Sequence, residues 1–178
     1  MGDYSQVLPL DWEERYQSFL AQPEVLAAMA SSDSDRLFKA YPRVVNGQPP
    51  LVEEPPAPAA GRVALVSTAG IHLPDMAPFR WQGLFGDTDV RRLPLGPLKQ
   101  FAIAHGHYDE GPVRLDQNVL WPARRLQDLA VAGEIGALAD TGYTVDGYDA
   151  IGLVQQAGEQ IVQGMQAEGA DIALIVPV

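Results

Sequence analysis

Apolar and polar positions follow two different rhythms along this chain. Near the N-terminus, Trp12, Tyr16, Phe19 and Leu20 recur at helical spacing behind Asp11, which caps a helix with Glu14 as its capping-box partner. Pro23 breaks that helix, and the pattern predicts two more short helices over about 24–29 and 35–40. From residue 62 onward the apolar residues come in continuous runs instead. Val63 to Val66 and Ile172 to Val176 are uniformly apolar, as expected of parallel strands covered on both faces. Shorter strands are predicted near Val90 to Leu93 and Gln100 to Ala104. Between them, 72–100 is rich in Pro and Gly and reads as a long excursion.

Two helices complete the pattern. Pro122 suits a first helical turn, Leu126, Leu129 and Ala130 form an apolar stripe, and Gly133 closes the helix. From about Asp149 to Ala167, Ile151, Val154, Ala157, Ile161, Val162 and Met165 recur at helical spacing, with Gly169 as the stop. A strand, a helix and a final strand predict a right-handed parallel crossover. The expected fold is therefore α/β: three layers with a mainly parallel sheet, preceded by a helical N-terminal arm. The arm is assigned to 1–45 and the α/β domain to 62–178. Residues 46–61, NGQPPLVEEPPAPAAG, hold five prolines and two glycines and form the linker.

Composition narrows the function. A net charge of −11 argues against a sequence-independent grip on nucleic acid and against anionic lipid. No apolar run approaches the ~20 residues that span a bilayer, and no secretory signal is visible, so a cytoplasmic protein is expected. The chain has no cysteine, which excludes disulfides, thiolate zinc sites and cysteine nucleophiles within these 178 residues.

The candidate chemistry clusters after two strands. The first strand ends in Ser67, Thr68, Ala69 and Gly70, followed by His72. Small polar residues at that end of a parallel strand are where α/β proteins place ligands. No glycine-rich phosphate motif and no G-x-S-x-G accompanies them, so a dinucleotide site and a Ser67 nucleophile are not expected. HGHYDE then places His105, His107 and Asp109 at alternate positions, where two imidazoles and a carboxylate can converge on a divalent metal. The alternatives are a turn held by their own hydrogen bonds, or proton transfer by a histidine beside Tyr108 and Asp109. Asp116 and Asn118 either orient a polar substrate or serve as turn residues. Arg114, Arg124 and Arg125 could pair with a substrate carboxylate or simply solvate a helix.

Taken in order, RVALVSTAGIHL, HGHYDE, LDQNVLWPARRLQDLAVAGEIGALAD and EGADIALIVPV resemble the selenoprotein B family of glycine, sarcosine, betaine and D-proline reductases. The resemblance spans 62–178 and is closer to the D-proline reductase-like branch. It implies reductive cleavage of a carbon–heteroatom bond in a small-molecule substrate, an oligomer, and a companion reductase subunit or thioredoxin-like donor. It places His105, His107 and Asp109 in the pocket, with Thr68, His72, Tyr108, Asp116 and Asn118 binding substrate. It also implies a redox selenocysteine or cysteine in a segment like V-P-V-U-P-x-C-H after the last strand. This chain reads Val176-Pro177-Val178 at that point. The expectation is that it stops at a selenocysteine codon and is inactive as a reductase, because the exchange chemistry needs a nucleophile and a resolving thiol. The strand at 171–176 would then be poorly covered. Two other readings stand beside this one: a metal-dependent lyase or hydrolase, and a non-catalytic short form that binds a partner subunit.

Overall fold

The computed structural model describes residues 17–33, 36, 54–80, 87, 89–104, 111–146 and 151–178. The chain divides into two compact units, Met1–Pro55 and Pro56–Val178. In the first, residues 17–20 are helical and α1 spans Pro23–Ala30, with Pro23 in its first turn and Val25 and Ala28 buried. The predicted helix start at Asp11 and the helix over 35–40 fall outside the described residues, apart from residue 36.

The second unit is an α/β domain, as the sequence pattern predicts. Its main sheet has five strands: β1 (Arg62–Ser67), β3 (Arg91–Pro94), β5 (Ala137–Leu138), β6 (Thr141–Thr144) and β7 (Ile172–Val176). Along one side β1 pairs with β7 in parallel over its whole length. Along the other it pairs in parallel with β5 at its start and β6 at its end. Only β3 runs antiparallel, against β6. A separate two-stranded antiparallel sheet joins β2 (Ile71–His72) to β4 (Ala102–Ile103).

The break between β5 and β6 has a definite cause. Arg62 pairs with Ala137 and Ser67 with Thr144, so the β5–β6 side holds two more residues than β1 over the same span. These form a bulge at Ala139 and Asp140. The Glu168 carboxylate satisfies it, accepting the Asp140 N–H at 2.8 Å and the Thr141 N–H at 3.1 Å. The Asp140 carbonyl accepts from Leu95 N–H at 2.8 Å.

Layers follow from adjacent residues of β6, whose side chains point to opposite faces. Gly142 faces Trp121, and a Cβ there would lie 2.5 Å from the indole Cη2. Tyr143 faces α4 (Ile151–Ala167), and a Cβ on Gly164 would run into its hydroxyl. Trp121 is seated by its indole N–H, which donates to the Gly96 carbonyl at 3.1 Å. It precedes α3 (Ala123–Val131), whose Leu126 is buried. The sheet is thus covered on both sides, with Leu65, Trp121 and Tyr143 at the centre of the core. A short helix α2 (Gly111–Leu115) and a 3-10 turn (Gln117–Val119) lead into α3.

Burial departs from the apolar pattern in two places, the second as expected of a poorly covered strand at 171–176. Val162 lies on the predicted apolar stripe of α4 but is 48% exposed. The β7 run is apolar throughout, yet Leu174 is 38% and Ile175 60% exposed. β7 occupies a sheet edge and is bonded on one side only, among the described residues. Among the described residues no helix is long and apolar enough to cross a membrane.

Candidate functional site

The carboxyl ends of β1, β6 and β7 converge, and backbone chemistry holds them together. Thr68 N–H donates to the Val176 carbonyl at 3.1 Å, and Val145 N–H to Ser67 at 3.0 Å. Gly70 N–H donates to Val145 at 2.9 Å. Ala69 and Asp146 form an isolated antiparallel bridge. Side chains complete the corner. Thr144 Oγ1 accepts Ile71 N–H at 2.9 Å, and Thr68 Oγ1 accepts Val178 N–H at 2.9 Å. Ser67, Thr144 and Asp146 are buried.

Gly70 makes this corner possible. Its φ is +61°, where a side chain is strained, and an added Cβ would sit 3.0 Å from the Ala104 carbonyl oxygen. Ala104 N–H donates to the Gly70 carbonyl at 3.1 Å. Ala104 is thus held directly beside the end of β1.

His72 lies just beyond. Its Nδ1 is 3.3 Å from the Gly70 carbonyl oxygen. With the proton on Nδ1 this is a hydrogen bond, and Nε2 carries the lone pair. The ring meets Phe79 edge-on, centroids 5.8 Å apart. On Phe79 lies the Arg91 guanidinium, 4.4 Å from the ring centroid. Arg91 also pairs with Asp87 at 3.2 Å, both side chains being nearly buried. Asp87 in turn accepts Arg80 N–H at 3.0 Å. One guanidinium at the start of β3 thus ties Phe79 and Asp87 together behind the imidazole.

Asp116 and Asn118 line a groove that Thr68 and His72 do not line. Asp116 Oδ1 accepts the Asn118 N–H at 2.9 Å and its side-chain amide at 2.7 Å. These two bonds, backbone first, hold the Asp116 carboxyl below its usual range, against slight desolvation. Gln117 fixes the turn by exchanging two amide bonds with Leu98. The turn borders an open groove of about 460 Å³ that Leu115, Arg124 and Asp128 also line. No hydrogen bond, ion pair or ring contact joins Asp116 or Asn118 to Thr68 or His72 among the described residues. Both side-chain bonds of Asp116 are the turn chemistry expected of an Asp at this position.

His105, His107, Tyr108 and Asp109 lie outside the described residues. Among the described residues no group of three or more His, Asp or Glu is arranged to hold a metal. Sequence reasoning overlooked Thr144 and Asp146. TGYTVD has neither the apolar run of a parallel strand nor a catalytic spacing, so β6 itself went unrecognised. The signal that could have found them is the small polar ending, which matches that of β1.

Two further groups are perturbed away from this corner. Burial, then the Glu168 charge, raises the Tyr143 phenol. Partial desolvation pushes the Glu168 carboxyl up, but hydrogen bonds from Thr141 and Asp140 outweigh it and leave it lowered.

This chain is similar to a reductase subunit. It is 33% identical over 116 residues to the D-proline reductase subunit gamma of Acetoanaerobium sticklandii, covering 64% of this chain. The match takes in 47% of that subunit, so the chain spans about half the length of the relative it matches. No protein-family model matches the chain, and no solved structure matches it.

Proposed function

We propose that this chain forms one wall of the substrate site in a D-proline reductase-like complex, with the corner of β1, β6 and β7 as that wall. The reaction is reductive cleavage of a carbon–nitrogen bond in D-proline or a related small amine, with glycine, sarcosine and betaine as the other candidates. The observation that carries this reading is the convergence of three strand ends on Thr68 and His72 in a chain similar to a D-proline reductase subunit.

The chemistry divides between this chain and its surroundings. With no cysteine among the 178 residues, the nucleophile comes from outside them, as a selenol or thiol. Its anion attacks the carbon bearing nitrogen; a carbon–selenium or carbon–sulfur bond forms as the carbon–nitrogen bond breaks, and nitrogen takes a proton. A second thiolate then attacks the selenium or sulfur. The carbon leaves with a proton, and the resulting selenosulfide or disulfide is reduced by an external dithiol. In this reading His72 handles the proton on nitrogen through Nε2, and the Nδ1 contact with the Gly70 carbonyl supports that tautomer. Thr68 positions the chain that follows β7. The family resemblance assigns His105, His107 and Asp109 to the same pocket, either as substrate ligands or around a divalent metal.

The test is a titration of D-proline into isotopically labelled chain, read by nuclear magnetic resonance. Shifts at His72, Thr68 and Val178, with Asp128 unmoved, are expected. Binding confined to the groove beside Arg124, or no binding by any of the four amines, overturns the reading. Incubated alone with D-proline and a dithiol, the chain yields no ring-opened product; turnover would show that no outside nucleophile is needed.

A further inference from the structure

β7 is a contradiction between composition and position. Ile172, Ala173, Leu174, Ile175 and Val176 have the unbroken apolar character of an interior strand. Among the described residues the fold nevertheless leaves this strand at an edge, with Ala173, Leu174 and Ile175 exposed. Edge strands in natural proteins are usually blunted by Lys, Pro, a bulge or a covering loop. No charge, proline or bulge interrupts Ile172–Val176, and its register with β1 is unbroken.

We propose that β7 pairs with β7 of a second copy of this chain, antiparallel and across a twofold axis at Leu174, joining two sheets into one. The backbone geometry favours this register. The Val176 carbonyl points to β1, where it accepts Thr68 N–H at 3.1 Å. Backbone direction alternates along a strand, so Leu174 and Ile172 also turn toward β1, while Ala173 and Ile175 turn their N–H and C=O groups outward. With the axis at Leu174, Ala173 falls opposite Ile175 of the second copy. That is a hydrogen-bonded pair, exchanging both N–H···O bonds, and the twofold repeats it. Every outward backbone group of the strand's centre is then satisfied.

The side chains fit the same axis. The large, exposed Ile175 meets the small Ala173 of the second copy, and Leu174 meets its own symmetry mate at the close, non-hydrogen-bonded position. Asp171 comes opposite Pro177 rather than another Asp171, so no like charges face each other along the ladder. A contact of this kind is isologous and closes at two copies. A single strand edge covers less than the ~800 Å² per partner of a standard stable interface, so the dimer is expected to depend on concentration. Each copy carries a net charge of −11, so added salt should tighten it by screening repulsion.

The test is sedimentation velocity on the full chain across a concentration and salt series, with amide hydrogen exchange on the same samples. A monomer–dimer equilibrium is expected, together with concentration-dependent protection of the Ala173 and Ile175 amides. Ile175→Lys places two ammonium groups on diagonal positions of one face and should weaken the dimer by roughly tenfold or more. Val162→Lys, an equally drastic change on exposed α4, should leave it unchanged. A chain that is monomeric throughout overturns the proposal. So does a dimer indifferent to Ile175→Lys, or protection of both amides at high dilution, which would mean that another segment, such as part of 1–55, already covers β7. Should Ile175→Lys fail to fold, the concentration dependence of exchange in the unaltered chain still decides.

Discussion

Replacing Glu168 tests how the sheet accommodates its bulge. One carboxylate oxygen receives two backbone donors, Asp140 N–H at 2.8 Å and Thr141 N–H at 3.1 Å, where β5 and β6 carry two residues more than β1. Hydrogen bonds to a charged acceptor contribute about 1.5–3 kcal/mol each when water is excluded. This site is only half-buried, so water replaces much of that, and Glu168→Ala is expected to cost about 1–2 kcal/mol. For a domain of this size that corresponds to roughly 2–8 °C in melting temperature. Glu168→Gln keeps an acceptor without the charge and should fall between. The pH dependence has a definite sign. The folded carboxyl is lowered from its ordinary value of 4.5, so its stabilisation is complete above that value and disappears as pH falls through the folded one. Thermal unfolding followed by circular dichroism at neutral and acid pH measures both effects. Equal melting temperatures for all three proteins at neutral pH would refute the argument. So would a difference that persists undiminished below the range where Glu168 protonates.

Gly142→Ala forces a methyl against the Trp121 ring at 2.5 Å and should destabilise the domain by about 1–3 kcal/mol, with a shift in Trp emission. Gly164→Ala, aimed at the Tyr143 hydroxyl on the other face, should cost a similar amount, read by chemical denaturation. Arg91→Leu removes the guanidinium that joins Phe79 to Asp87, and limited proteolysis should then cut faster between residues 73 and 80; Arg91→Lys should rescue this only in part, because a point charge cannot replace the planar fork. Thr68→Val removes the acceptor for Val178 N–H and should cost about 0.5–1.5 kcal/mol, with loss of exchange protection at Val178. Elemental analysis of the purified chain checks HGHYDE: a divalent metal near one per chain that is lost in His107→Ala supports metal binding, and metal-free protein excludes it.

The periodicities placed β1, α3, α4 and β7, because each is long enough to show a continuous apolar run or a helical stripe, and the local pattern also placed the shorter α1, β3 and β4. They could not find β5 and β6. Gly142, Tyr143 and Thr144 are buried between Trp121 on one face and α4 on the other, rather than through a run of apolar residues of their own. Local patterning also pointed to the end of β1 as the site, since STAG is small and polar after an apolar strand. It could not show that Thr144 supports Ile71, nor that Thr68 holds Val178, because those partners are 73 and 110 residues apart. Asp116 and Asn118 illustrate the opposite case: their bonding is local, and spacing suggested it. The amino-acid pattern determined that β7 is a strand apolar on both faces. The resemblance already implied that it would be poorly covered; only the tertiary structure decided which of its residues are exposed, Ile175 most of all, because coverage depends on what packs against a strand and not on the strand's own residues.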